Sequence, residues 1–329
     1  MNSHDSKVLF PAAAQGGAVT IGNFDGVHRG HQAILQQVRR LADMVSGPAV
    51  VFTFDPPPSQ LLRPDFTPAL LTGAERRTEL LKKLGIDVVI VYPTDMALLD
   101  LEPEAFFEKI VVRSLLAKAI AEGENFRFGK QRRGDVSLLR QLAEMHSMKF
   151  SLLEPQQDAG EWISSTRIRT LVDAGDISGA NRLLIEPYRI AGVVGHGVQR
   201  GRTLGFPTAN LESIAVLCPP LGVYAGRVTG CVTKQGDASV PSPVGLPVAM
   251  HVGPNPTFGE DKFKVEVHVI GFSGDIYDCE LAIELFEKLR DVRKFESKDQ
   301  LLAQLTQDID RAKSIAVRDP FTGWKPMLH

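Results

Sequence analysis

Ile21-Gly-Asn-Phe-Asp25-Gly-Val-His28-Arg-Gly-His31 follows a short apolar run, Ala18-Val19-Thr20-Ile21, and leads into apolar residues spaced three and four apart: Ile34, Leu35, Val38, Leu41, Ala42 and Val45. That change of pattern reads as strand, turn and amphipathic helix, with the helix beginning near Arg29. Two imidazoles then face a helix N-terminus, where unpaired backbone N–H groups and the positive end of the dipole attract phosphate. Histidine adds a cation that can be switched on. Gly30 removes a Cβ where a triphosphate would approach the backbone, and Gly22 and Gly26 loosen the preceding turn. A histidine pair of this spacing is by itself as often plain solvated surface as a site. Zinc is a weaker reading, because no Cys pair or HExxH accompanies it. The strand-turn-helix context favours an anion cradle.

Outward from this stretch, residues up to about 186 alternate strand-like runs with helical stripes, the signature of a mostly parallel sheet flanked by helices. Strands are expected at Ala18–Ile21, Ala49–Phe54, Val88–Tyr92, Ala117–Glu122 and Lys149–Leu153, and helices near Ala74–Leu84, Pro103–Leu116 and Asp135–Met145. Asp55-Pro-Pro-Pro58 ends a strand rigidly and reads either as a stiff loop or as a pocket wall. After Pro187 the texture becomes β-rich: Tyr188–Val194, Val223–Thr229, Val244–Val252, Lys264–Ile270 and Cys279–Leu289 predict an antiparallel sheet or small barrel. Ser297-Lys-Asp-Gln300 is a capping box announcing a last helix with Leu301, Leu302, Leu305 and Ile309 on one face. Lys234–Pro243 reads as an exposed hairpin loop. The 329 residues exceed one ordinary core, so two domains are expected, residues 1–186 and 187–329.

A formal charge of −2 gives no field suited to gripping a nucleic-acid backbone. Cys218, Cys231 and Cys279 form no CxxC spacing, which supports neither a disulfide framework nor a zinc knuckle. No signal segment and no apolar run of membrane-spanning length is seen. A cytoplasmic enzyme or binding protein is expected, without nucleic-acid or membrane partners.

Two further stretches could grip anions. Ser164-Ser165-Thr166-Arg167-Ile168-Arg169 puts hydroxyls and guanidinium at the start of another helix, although Ser and Thr also simply cap helices. Gly195-His-Gly-Val-Gln-Arg-Gly201-Arg-Thr-Leu-Gly205-Phe-Pro-Thr208-Ala-Asn210 is glycine-rich and ends in a hydroxyl and an amide, groups suited to Mg²⁺ and phosphate oxygens. It is no Walker A loop, since the first glycine would fall at His196 and the lysine at Arg202. Glu266 lies in an alternating run that sets Lys264, Glu266 and His268 on one face and Val265, Val267 and Val269 on the other. Periodicity alone makes Glu266 and His268 plain solvent-side residues.

The run from Gly22 to His31, then Gly123-Glu-Asn-Phe-Arg-Phe-Gly129, then Ser164–Arg169 resemble the adenylyltransferase module of the bifunctional riboflavin kinase/FAD synthetase family. Gly205-Phe-Pro-Thr208-Ala-Asn210, His251-Val-Gly-Pro-Asn-Pro-Thr257-Phe and Val265-Glu266-Val-His268 follow in that family's order and resemble its riboflavin kinase half. The resemblance implies a Rossmann-like nucleotidyltransferase domain followed by a small antiparallel β-barrel with a C-terminal helix. It implies that His28 and His31 contact ATP phosphates and that Gly22, Asn23, Phe24, Asp25 and Gly30 shape the nucleotide and metal site. Ser164, Ser165, Thr166 and Arg167 would hold the triphosphate, and Asn125 would lie near the flavin-nucleotide phosphate or a metal. In the second half Gly195, Gly201, Gly205 and Pro207 would line the nucleotide, Thr208 and Asn210 would coordinate Mg²⁺ and ATP, and Glu266 would be the base. Riboflavin, FMN and ATP are the implied small-molecule partners. The chain departs from the family at Pro57 (usually His), Asn125 (Asp), Asn255 (Arg), Asp278 (Gly) and Leu184-Ile-Glu-Pro187 (Gly-Arg-Pro).

Elementary chemistry fits such a division. A phosphate monoester with a second pKa of about 6 arrives anionic and needs no base. A ribityl hydroxyl, with a pKa in the range of water's at about 15.7, benefits from a positioned carboxylate. An enzyme retaining one activity, and a non-catalytic flavin- or nucleotide-binding regulator, are the alternative readings.

Overall fold

A computed structural model describes residues 10–195, 206–232, 242–255 and 260–318. The glycine-rich stretch 196–205, with Gly201 and Gly205, and nearly all of the loop expected at Lys234–Pro243 lie outside the described residues. The chain packs as two units, one ending at Ser165 and the other starting at Thr166.

In the first unit β1 (Ala18–Ile21), β2 (Ala49–Asp55), β3 (Val88–Pro93), β4 (Ala119–Gly123) and β5 (Lys149–Leu153) form a sheet in the order β3-β2-β1-β4-β5. Every neighbouring pair is parallel. The chain steps outward from β1 to β3 and then crosses back to β4 on the other side of β1. The carboxyl ends of β1 and β4 therefore flank a topological switch point, where open α/β sheets bind ligands. Helix α1 (Arg29–Met44) begins at the residue its periodicity indicates and buries Leu35, Val38, Leu41 and Ala42. Helices α2 (Ala74–Lys83) and α3 (Val136–Met145) also follow their stripes.

Two elements differ from expectation. The helix read at Pro103–Leu116 starts at Pro103–Phe106 and then widens to π winding over Phe107–Ser114, with Leu115 N–H donating to Ile110 O at 3.0 Å. The wider turn keeps Phe107, Val111 and Leu115, four residues apart, in the core. β4 begins at Ala119 rather than Ala117, because the Lys118 and Ala119 N–H groups both turn to Gly17 O. A small hairpin, β6 (Gln157–Asp158) and β7 (Glu161–Trp162), went unread; its central residues Ala159 and Gly160 both have positive φ, the mirror-image turn that suits tight hairpins.

Helix α4 (Ser165–Asp173) leads into the second unit, followed by α5 (Ile177–Leu183). Then β8 (Arg189–Gly195), β9 (Ala209–Glu212), β10 (Gly222–Val232), β11 (Pro247–Asn255), β12 (Glu260–Val269) and β13 (Glu280–Arg290) close a barrel in the order β10-β11-β12-β9-β8-β13. Its described pairs are antiparallel. β9 was read as the end of a glycine-rich loop. β11 starts at Pro247 instead of Val244, because Gly245, at φ +89°, turns the chain there. Val265, Val267 and Val269 are buried with Met250 and Val252, and the alternate residues face outward.

Helix α6 (Lys298–Arg318) covers part of that outer face, packing Ala312 with Val223, Ala225 and Leu289. Ser297 Oγ accepts from Gln300 N–H at 3.2 Å, as the capping box predicts, while Gln300 Oε1 accepts from Glu296 N–H at 3.3 Å, one residue earlier than the usual reciprocal bond. Asp308 interrupts the apolar stripe. It is 2 % exposed and grips Arg290 through Nε at 2.9 Å and Nη2 at 2.8 Å. Asp308→Ala leaves a largely buried guanidinium without its carboxylate, so denaturant unfolding will show a loss of about 3–5 kcal/mol.

Candidate active sites

The first site grows from the turn after β1. Phe24 and Val27 have positive φ, as does Gly26. Such a coiled turn holds because Asp25, 4 % exposed, accepts from Leu71 N–H (3.0 Å), Thr72 N–H (2.9 Å) and Thr72 Oγ1 (3.2 Å). Gly26 N–H donates to the same Thr72 hydroxyl at 2.8 Å. The Asp25 carboxylate is thus spent on the loop at 71–72, and buried Arg77, which donates to Phe54 O at 2.8 Å, lies within its electrostatic reach. Asp25 shapes the site by fixing the turn. Asp25→Ala strips two buried N–H groups of their acceptor, at about 1–3 kcal/mol each, and thermal unfolding will report the loss.

His28 is the N-cap of α1, and the two histidines cap each other: His28 Nδ1 accepts from His31 N–H and His31 Nδ1 accepts from His28 N–H, both at 3.3 Å. Their rings stack with centroids 3.6 Å apart and planes 15° from parallel. An Nδ1 that accepts carries no proton, so both rings hold theirs on Nε2 and present it as a donor. Burial lowers the His28 pKa to about 4, and burial plus the neighbouring His28 hold His31 well below the usual imidazole value. The expected switchable cation is therefore a neutral pair with a fixed tautomer. Phe24, buried, sets its ring against His31 at 5.0 Å. The missing Cβ of Gly30 makes room for the His28 ring at 3.1 Å and for Ile163 O at 3.4 Å, so its structural use is to seat the imidazole.

These pKa values have a sign. Between pH 6.5 and about 4 the unfolded chain binds protons that folded His28 does not. Stability falls as pH drops through that window, and above it His28 gives no pH dependence. Urea midpoints will decline from pH 6.5 toward 4, and replacing both histidines by asparagine will flatten the slope.

The third motif meets the first. Ser165 Oγ donates to Asp25 O at 2.8 Å. Ser164 is half-buried, while exposed Thr166 and half-buried Arg167 follow on the first turn of α4. Asn23 is exposed, and its carbonyl accepts from Thr53 Oγ1 at 3.2 Å. Asn125 is exposed in the turn leaving β4, the strand beside β1.

The second site lies on the outer face of the barrel. In register, Glu266 on β12 stands opposite Asn210 on β9 and His251 on β11, and Asn210 opposite Gly195 on β8. Directly opposed residues share a face about 5 Å apart, so an amide, a carboxylate and an imidazole form one row. Asn210 Oδ1 is buried and has no hydrogen-bond partner among the described residues. Burial keeps the His251 pKa below the usual value, with Glu266 raising and Arg290 lowering it, and its Nε2 lies 3.1 Å from Pro254 O. Pro207 and Thr208 are exposed just before β9. Gly195 lacks a Cβ where the Glu212 carboxylate passes.

Sequence reasoning left His268 as a solvent-side residue. Its Nδ1 lies 2.7 Å from Pro207 O, and Phe206 stands edge-on to its ring at 5.9 Å, so it pins the Phe206-Pro-Thr208 segment to β12. The alternation that placed it beside Glu266 was the available signal. Asp278, where the resemblance leads one to expect glycine, has φ +59°, a left-handed conformation that aspartate tolerates better than most residues.

A doubly wound sheet with an anion-ready turn at its switch point, joined to a closed barrel bearing a carboxylate beside an orphaned amide oxygen, defines a two-domain nucleotide-dependent transferase. Residues 10–167 match the family model for FAD synthetase, and residues 184–316 that for riboflavin kinase. The chain is 34 % identical over 300 residues to the bifunctional riboflavin kinase/FMN adenylyltransferase of Escherichia coli (strain K12), covering 91 % of this chain and 93 % of that one. It is 35 % identical over 295 residues to the protein of that name from Listeria monocytogenes, covering 88 % and 89 %. The chain belongs to the bifunctional riboflavin kinase/FMN adenylyltransferase family, and both of that family's domains are present. A solved structure described as a macrolide-efflux protein from Streptococcus pneumoniae shares the architecture, with TM-score 0.78, 27 % identity and coverage of 94 % and 96 %. Among the described residues no helix is long and apolar enough to cross a membrane.

Proposed function

We propose that the barrel face phosphorylates riboflavin with ATP to give FMN and ADP, and that the β1/β4 crevice then joins FMN to a second ATP, giving FAD and pyrophosphate. The row Asn210–Glu266–His251 carries this assignment, because it supplies a carboxylate to the one step whose nucleophile is a neutral alcohol. Glu266 accepts the ribityl proton as oxygen attacks the γ-phosphorus. His268 holds Thr208 in place through Pro207. In the crevice the phosphate of FMN attacks the α-phosphorus unaided, while the Nε2–H groups of His28 and His31 donate to the triphosphate with no net charge of their own. The N-terminus of α1 supplies further N–H donors. Ser165, whose hydroxyl donates to Asp25 O, holds the far end of the triphosphate.

Mg²⁺ fits the barrel site, since the buried Asn210 Oδ1 lacks a partner among the described residues and Thr208 adds a second hard oxygen. Bound there, the ion would neutralise charge on the β- and γ-phosphates. In the crevice Asn125 offers a neutral amide oxygen for the same purpose. A cytoplasmic location belongs to this reading and agrees with three free thiols, Cys218, Cys231 and Cys279.

Purified protein incubated with riboflavin, ATP and Mg²⁺ will yield FMN, then FAD, with ADP and pyrophosphate released. FMN accumulating without FAD would refute the second step. Tight flavin binding without ADP or pyrophosphate would replace the enzyme by a regulator.

A further inference from the structure

Ala18 and Gly22 send their N–H groups toward β2, to Pro48 O at 2.9 Å and Phe52 O at 3.0 Å. By strand alternation Ile21 sends its own toward β4. There the acceptor is a side chain. The register of β1 with β4 ends at Val19 opposite Ile120, and Ile21 N–H donates to Glu122 Oε1 at 2.6 Å, with Thr20 Oγ1 on the same oxygen at 3.2 Å. Glu122 is 3 % exposed and Thr20 fully buried. Burial raises the Glu122 pKa well above the ordinary carboxylate value, which favours the neutral acid, still an acceptor through Oε1.

This bond sits between the two turns that matter. Ile21 immediately precedes Gly22, where the histidine turn begins, and Glu122 immediately precedes Gly123, where the Asn125 turn begins. A rung made by a glutamate side chain is longer than the backbone rung of a ladder, whose strands lie about 4.8 Å apart. Such a rung sets the spacing of the strand ends it joins.

We propose that Glu122 is a positioning residue for adenylyl transfer, its carboxyl replacing the missing backbone rung and so setting the separation between the turn bearing His28 and His31 and the turn bearing Asn125. The proposal rests on the reading that this crevice takes ATP and FMN. It assigns Glu122 no contact with either.

The test uses the full-length chain and four variants, Glu122→Ala, Glu122→Asp, Glu122→Gln and His31→Ala, with kcat and KM for ATP measured separately for FMN adenylylation. Riboflavin phosphorylation by the same preparation reports on folded protein. Glu122→Ala and Glu122→Asp will lose on the order of 10²-fold in kcat/KM, as a misplacement of about 1 Å does, with kinase turnover unchanged. Glu122→Gln, which keeps both length and acceptor, will recover most of that loss. Should Glu122→Ala, or Glu122→Asp if the alanine variant does not fold, keep kcat and KM within about twofold of the parent, the proposal fails. It fails equally if Glu122→Gln is as impaired as Glu122→Ala, because proton or charge rather than spacing would then be at work. His31→Ala with undiminished adenylylation would instead remove the crevice reading itself, whatever the Glu122 variants do.

Discussion

Glu266→Ala will slow riboflavin phosphorylation by about 10²–10⁴-fold, the usual contribution of a positioned general base, and leave FAD formation from supplied FMN at the parental rate. The alcohol must shed a proton as it attacks, and Asn210 and His251, opposite Glu266 in register, do not replace a carboxylate. The amide has no basic atom. The imidazole has its Nε2 against Pro254 O and a depressed pKa. Glu266→Gln should be nearly as slow, which separates loss of a base from loss of bulk. A flavin time course by chromatography, started once from riboflavin and once from FMN, reads both steps. Equal loss in both would contradict separate sites.

His31→Ala will do the reverse, lowering FMN adenylylation by about 10²–10³-fold, as loss of one preorganised donor to a developing charge does, with FMN formation unchanged. The substitution removes the Nε2–H donor of His31 and the acceptor for His28 N–H, and it takes away the ring on which His28 is stacked. The lost cap costs about 1 kcal/mol of stability, too little to unfold the domain. A neutral donor also predicts that adenylylation will not switch off between pH 6 and 8 through these rings, since His28 titrates near 4. A fall in rate across that range, abolished in His31→Ala, would show that the imidazolium is the working form.

Short-range features were legible in the sequence. The strand, turn and helix around Ile21–His31 could be read because their periodicities change within a few residues, and of the predicted stripe α1 buries Leu35, Val38, Leu41 and Ala42, while Ile34 is half-buried and Val45 caps the helix end. The outward face of β12 was legible for the same reason. Bonds across long sequence separations were not. Glu122 follows Ala119-Ile-Ala and looks like a polar strand end, while its partner Ile21 N–H lies 101 residues away. His268 meets Pro207 O from 61 residues away. The resemblance implies that Asp25 shapes the nucleotide and metal site, but nothing local announces that it does so by holding the backbone at 71 and 72. β9, four residues long, was too short for alternation to show.

The solid filling of the closed cylinder decides how the vitamin comes and goes. Val248, Met250, Val252, Val265 and Val267 are all under 5 % exposed, so a tricyclic ring system finds no lumen to enter. On the reading proposed above it lies along the outside of the staves, on the surface that also carries Glu266. Loading and unloading on that exterior then require no breathing of the hoop.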